Sequence, residues 1–162
     1  MKNMRIVIIG LAMLGLFAGV AYATSGAGVS ASTPVRGTIG EPFKVEIDDV
    51  VELKTKSPMD VVDQNITIQP AGHTGWHSHA GPALIVIQSG TLTFYDGDDP
   101  SCTGAVYTAG QTFVDNGGGH VHLARNEGAV PVALTVTYLL PVGAPTRIDV
   151  ADPGNCDFSP AG

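Results

Sequence analysis

The sequence predicts an all-β fold, a single antiparallel sandwich or barrel. Two observations carry that prediction. Between Phe43 and Leu140, short segments rich in β-branched and aromatic residues recur, divided by Gly, Pro, Asp and Asn turns. Over the same span no segment keeps a helical period long enough to form a convincing helix.

Taken in order, the chain opens with a short basic start, Met1 to Arg5, followed by an apolar or small run from Ile6 to Val20 and a small-residue cleavage pattern, Ala21-Tyr22-Ala23. That order reads as a secretory signal over residues 1–23, which places the mature protein in a secreted or periplasmic, extracytoplasmic location. The run is shorter than the roughly 20 residues that span a bilayer, so no stable membrane span is expected after cleavage. Residues 24–40 are rich in Ser, Ala, Gly and Thr without periodicity and are expected to form a flexible leader. A β domain is expected over residues 41–150, and residues 151–162 form a Pro- and Gly-containing tail.

Within the domain the expected strands are Phe43–Ile47, Val50–Lys54, Met59–Gln69, Gly75–His79, Ala83–Gln88, Thr91–Tyr95, Ala105–Tyr107, Thr112–Val114, His120–Asn126 and Val132–Leu140. Leu134 to Tyr138 alternates apolar and polar residues, as a half-buried strand should. Ser89-Gly90 reads as a two-residue hairpin turn, and Asp96 to Pro100 as a longer polar turn. Gly117-Gly118-Gly119 reads as a tight turn, because neither a following helix nor a phosphate-binding lysine accompanies it.

Without residues 1–23 the chain has 139 residues, enough for one domain with a substantial core. It then carries six basic and fifteen acidic side chains, a net charge of about −9, which excludes nucleic acid as an expected partner. The two cysteines, Cys102 and Cys156, have no metal-binding or nucleophilic setting around them. In an oxidising compartment they are expected to pair, the alternative being two separate thiols; a bond would hold the tail and add on the order of 4 kcal/mol.

Chemistry concentrates in the histidines. His77-Ser78-His79 and His120-Val121-His122 hold four of the five. Residues i and i+2 of a strand point to one face, so each pair can aim two imidazoles into one cavity. A divalent metal site is the first expectation.

Gly72, His77, His79 and Gly90 follow the order glycine, His-x-His, a ligand position, six residues, glycine, with the first glycine spacing one residue short and Ala83 at the position where an acidic residue would stand. A second run, Gly110 through Gly119, His122 and Asn126, keeps its spacing of two and three residues, with Gly117 where a proline is usual. Together these resemble the two signatures of the cupin superfamily, and in particular its small exported single-domain members.

The resemblance implies a β jelly roll, in a family whose members often form homodimers, and a metal or small ligand inside the barrel. Matched residue by residue, it implies metal ligation by His77, His79 and His122. His120, if its segment is extended, is a candidate fourth ligand. Ala83 makes the expected site carboxylate-free, since Asp115 and Glu127 are neighbours in sequence only. An all-imidazole set suits Fe, Zn, Cu or Ni better than Mg or Ca. The expected activity is that of a metal-dependent small-molecule enzyme, a dioxygenase above others; the alternatives are a non-catalytic module that binds or senses a small ligand, and a structural cupin with a degenerate site. No catalytic residue is identified. Trp76 alternates away from His77 and is expected in packing, and His73 is read as a loop histidine.

Overall fold

The structure, a computed structural model, describes residues 23–158. Residues 1–22, the body of the expected export signal, lie outside it. Among the described residues twelve strands form, and no helix. They are β1 (Ala27–Ile39), β2 (Lys44–Ile47), β3 (Val51–Lys54), β4 (Met59–His73), β5 (His77–Ser78), β6 (Ala83–Ser89), β7 (Thr91–Asp96), β8 (Ala105–Thr108), β9 (Thr112–Asp115), β10 (His122–Arg125), β11 (Val132–Pro141) and β12 (Ile148–Asp149). The ten expected strands all form, most with ends shifted by one or a few residues.

Every strand pair is antiparallel. One layer runs β1-β4-β11-β6-β9 and the other β8-β7-β10-β5-β12. They join where Arg125 of β10 pairs with His73 at the end of β4, which gives an antiparallel jelly-roll barrel. Strict alternation builds its interior. In β6, Ala83, Ile85 and Ile87 are buried while Leu84, Val86 and Gln88 face solvent. In β11 the inward set is Val132, Leu134, Val136, Tyr138 and Leu140. Facing residues of the other layer, Leu92, Phe94 and Ala124, close the core.

The leader is the first departure from expectation. Residues 27–39 are a strand, paired from Ala27↔His73 to Ile39↔Met59 along nearly the whole of β4. Such an edge strand is held by backbone hydrogen bonds, which require no apolar period, and most of its side chains stay exposed. Pro34, which has no N–H to give, falls in the register shift between Ser32 and Val35.

A second apolar cluster lies outside the barrel wall. Trp76, Tyr95 and Leu123 are buried there against Cys102, Cys156 and Phe158. The disulfide Cys102–Cys156, with Cα atoms 5.2 Å apart, ties the tail over this cluster, so the two cysteines do pair. Trp76 is fully buried in it and stacks with Phe158 at 6.4 Å, in keeping with a packing role. His73 is not a loop residue: it is buried at the end of β4, where its Nδ1 accepts the Gly75 N–H at 3.1 Å.

Candidate metal centre

Strand pairing assembles the histidines. His77 begins β5 and His122 begins β10, and the two are direct cross-strand partners. His79 follows His77 by two residues and therefore shares its face. The rings are 4.3 Å apart for His77 and His122, 4.9 Å for His77 and His79, and 5.0 Å for His79 and His122. One nitrogen from each lies within 4.8 Å of the others, and all three residues are buried.

Backbone carbonyls set the direction in which two of these rings bind. His77 Nδ1 donates to the Gly75 carbonyl at 2.9 Å, and His79 Nδ1 donates to the Thr146 carbonyl. A carbonyl only accepts, so in the neutral rings each Nδ1 carries the proton and each Nε2 is left as a bare lone pair. Phe94 stacks on His122 at 4.8 Å and Tyr138 meets His79 edge-on at 5.1 Å, which fixes the ring planes.

The environment keeps these imidazoles neutral. Burial pushes His77 well below the ordinary histidine value, and the neighbouring His122, Arg147 and His79 push the same way. Burial also lowers His79, although the Thr146 carbonyl and Asp115 partly offset it. His122 falls to about 4, again chiefly through burial. Neutral imidazole is the form a metal needs, so the donor set fits a borderline transition metal at neutral pH. Burial pushes the Tyr138 hydroxyl far above its usual range, so it stays protonated at neutral pH.

The histidines open on a cavity of about 50 Å³ with otherwise mostly apolar walls, including Ile85, Leu92 and Phe113. Enclosing one water takes about 10–15 Å³ of such space, so the cavity suits an ion with a few waters or one small ligand. A more open pocket of about 130 Å³ adjoins it and shares His77, His79 and Tyr138. Gln64, Thr146 and Arg147 line that pocket, so a polar mouth leads to an apolar interior.

His120 does not join the three. It lies in the turn before β10, where its N–H bonds the Gly117 carbonyl at 3.2 Å. Its side chain is 30% exposed, with Nδ1 2.8 Å from Asp115 Oδ1 and Nε2 3.0 Å from Asp96 Oδ1. Both nitrogens are thus engaged by carboxylates. Burial, the largest single influence, lowers His120, but the hydrogen bond and charge of Asp115, with Asp96 and Asp98, more than offset it and hold the ring above its ordinary value.

A buried carboxylate stands beside the three histidines. Asp115, the last residue of β9, is buried with Oδ2 3.9 Å from His79 Nε2 and 3.7 Å from His122 Nδ1. Sequence reading treated it as a neighbour in sequence only, because its approach depends on the pairing of β9 with β6. One signal was available: Phe113 and Asp115 share a face by alternation, so a core-facing Phe113 carries Asp115 inward with it. Ala83 is buried and directly opposes Asp115, and the structure keeps no carboxylate at position 83.

A cupin domain family model matches residues 64–138. Solved structures similar to this chain include three of low identity. One is an uncharacterized conserved protein with a double-stranded β-helix domain from Klebsiella pneumoniae, 21% identical over 69% of this chain and 86% of that one, with a TM-score of 0.46. Another is a cupin domain from Bordetella pertussis, 18% identical over 61% and 93%, with a TM-score of 0.43. The third is oxalate decarboxylase from Bacillus subtilis, a protein with Mn(II) centres, 15% identical over 55% of this chain but only 23% of that one, with a TM-score of 0.48. No curated protein matches. The matched span holds all of β6 to β10, both histidine clusters and Asp115, and the chain belongs to the cupin superfamily.

Proposed function

We propose that this chain is an extracytoplasmic cupin that binds a divalent transition metal through His77, His79 and His122 and oxidises a small molecule in the manner of a dioxygenase. The observation that carries the reading is the convergence of three buried, neutral imidazoles on one small cavity with mostly apolar walls. Three histidines exceed what packing such a core needs, and two of them spend Nδ1 on backbone carbonyls so that Nε2 points inward. Iron, zinc, copper and nickel all suit imidazole ligands. When bound, such an ion supplies a Lewis-acidic position open to a further ligand.

The surrounding residues define what could enter. Ile85, Leu92 and Phe113 exclude water from the interior, while Gln64 and Arg147 give the mouth hydrogen-bond donors and positive charge. A small substrate with one polar or anionic end suits that gradient. The disulfide supports an oxidising compartment, in agreement with an export signal over residues 1–23. The adjoining pocket of about 130 Å³, which reaches His77 and His79 past Gln64 and Arg147, supports a second reading, a non-catalytic module that binds such a ligand without turnover.

Oxygen uptake separates the two readings. Protein loaded with Fe, Zn, Cu or Ni is mixed in an oxygen electrode with a panel of small carboxylic and phenolic compounds. Uptake that requires both metal and compound supports the enzyme. Saturable binding of a compound with no uptake supports the binding module.

A further inference from the structure

Ala83 fills the position at which the family signature carries an acidic residue, and the register of the barrel shows what stands beside it. On β9, Asp115 is its direct cross-strand partner, and on β11 Tyr138 opposes it from the other side. Residues directly opposed in an antiparallel pair project from the same face with Cβ atoms about 4.5–5.5 Å apart. Asp115 therefore brings a carboxylate beside the histidines at the same level of the barrel, one strand over.

The two oxygens of Asp115 differ in their surroundings. Oδ1 accepts a hydrogen bond from His120 Nδ1 at 2.8 Å, and His120 is braced in turn by Asp96 at 3.0 Å. Oδ2 is buried and makes no hydrogen bond. It faces His79 Nε2 at 3.9 Å, the nitrogen left bare because Nδ1 donates to Thr146, and His122 Nδ1 at 3.7 Å, which also lacks a hydrogen-bond partner. Asp115 Oδ2 and His122 Nδ1 are both buried without a hydrogen-bond partner, an arrangement that proteins avoid. A cation shared between them satisfies both. Donors bound to one zinc-like ion at about 2.1 Å lie no more than about 4.2 Å apart, and both separations fall inside that limit.

We propose that Asp115 is the fourth protein ligand of the metal, its carboxylate transposed from β6 to β9. This rests on the metal reading above. The set becomes three imidazoles and one carboxylate, which lowers the net charge of a bound divalent ion from +2 to +1 and shifts preference toward harder ions. His120 then acquires a role of its own: it holds Oδ1 so that Oδ2 points inward.

The test is a titration of the purified full chain with Zn²⁺ and Co²⁺ in competition with a chromophoric chelator. Replacing a residue that merely supports a metal ligand costs about 10–100-fold in affinity. Asp115→Asn is expected to lose more than 100-fold and to change the visible absorption of the Co²⁺ form. Returning the carboxylate to β6, in the double variant Ala83→Glu with Asp115→Ala, is expected to recover at least tenfold of that loss. If Asp115→Asn loses less than about 100-fold and leaves the Co²⁺ spectrum unchanged, Asp115 is not a ligand, while metal binding by the histidines stands. If the unaltered chain binds neither ion, the metal reading itself fails. Should Asp115→Asn not fold, a crystal structure of the zinc-loaded unaltered chain decides: an Asp115 oxygen at about 2.0–2.2 Å from zinc supports the assignment, and one beyond about 3 Å overturns it.

Discussion

His122 concentrates the energetics of the site in one side chain. It opposes His77 in register, stacks on Phe94 and sits 3.7 Å from Asp115, and burial holds it at about 4. In the unfolded chain a histidine titrates near 6.5. Between those values the unfolded protein takes up a proton that the folded one refuses, so stability falls as the pH drops from about 6.5 toward 4 and is level above that window. For His122 alone the loss is on the order of 3 kcal/mol, and the lowered values of His77 and His79 act in the same direction. Thermal unfolding of chelator-treated protein across pH 4–8 should show this acid-side decline, reduced in His122→Asn. A melting temperature flat from pH 6.5 to 4.5 would mean that these rings are not held neutral. The histidines were legible in the sequence because alternate positions on a strand share a face. Asp115 was legible only in part: alternation with Phe113 turns it inward, but nothing in a linear pattern fixes which residue of β9 meets Ala83.

At the scale of elements, turns aim the ligands. Gly117 has φ +65°, and a Cβ there would stand 2.0 Å from the Gly81 carbonyl oxygen, so the turn before His122 packs against the loop that follows His79. Gly118 has a similar φ of +63° with open space around it. Gly117→Ala should therefore cost on the order of 3 kcal/mol or more, and Gly118→Ala about 1 kcal/mol, as measured by denaturant unfolding. Equal costs would show that the contact with Gly81 is unimportant. The family's usual proline at this position is incompatible with a positive φ, which gives the departure from the signature a backbone cause. The ten expected strands, eight of them in the barrel and two in the separate β2–β3 hairpin, were legible because turn residues bound each one and many alternate. β1 was not: a strand that offers only its backbone to β4 leaves no apolar period, and its Ser, Gly and Ala content reads equally well as a linker. His120 was misplaced for a related reason, because the Gly-rich turn extends through it and strand geometry begins only at His122.

For the molecule as a whole, the tail is fastened to the barrel by one covalent bond and by contacts of Asn155 and Phe158. The disulfide spans 54 residues and anchors the tail over the only tryptophan of the chain. Its removal by Cys102→Ala with Cys156→Ala should cost about 2–5 kcal/mol. Tryptophan fluorescence should shift to the red as Trp76 loses the cover of Phe158, with the strand signal in circular dichroism retained. Emission unchanged after loss of the bond would show that the tail stays docked without it. The histidine cavity lies on the other side of the β7–β10 wall, lined by Phe94, His122 and Ala124 while Leu123 faces the tail, so metal affinity should survive that double substitution.

Metal content is where the account stands or falls. Elemental analysis of the full chain, purified without chelator and reloaded with Zn²⁺ or Fe²⁺, is compared with His77→Ala and His122→Ala variants whose folding is confirmed by circular dichroism. One equivalent of metal in the unaltered chain and its loss from both variants is the expected result. An unaltered chain that takes up no metal, or variants that retain a full equivalent, would contradict it.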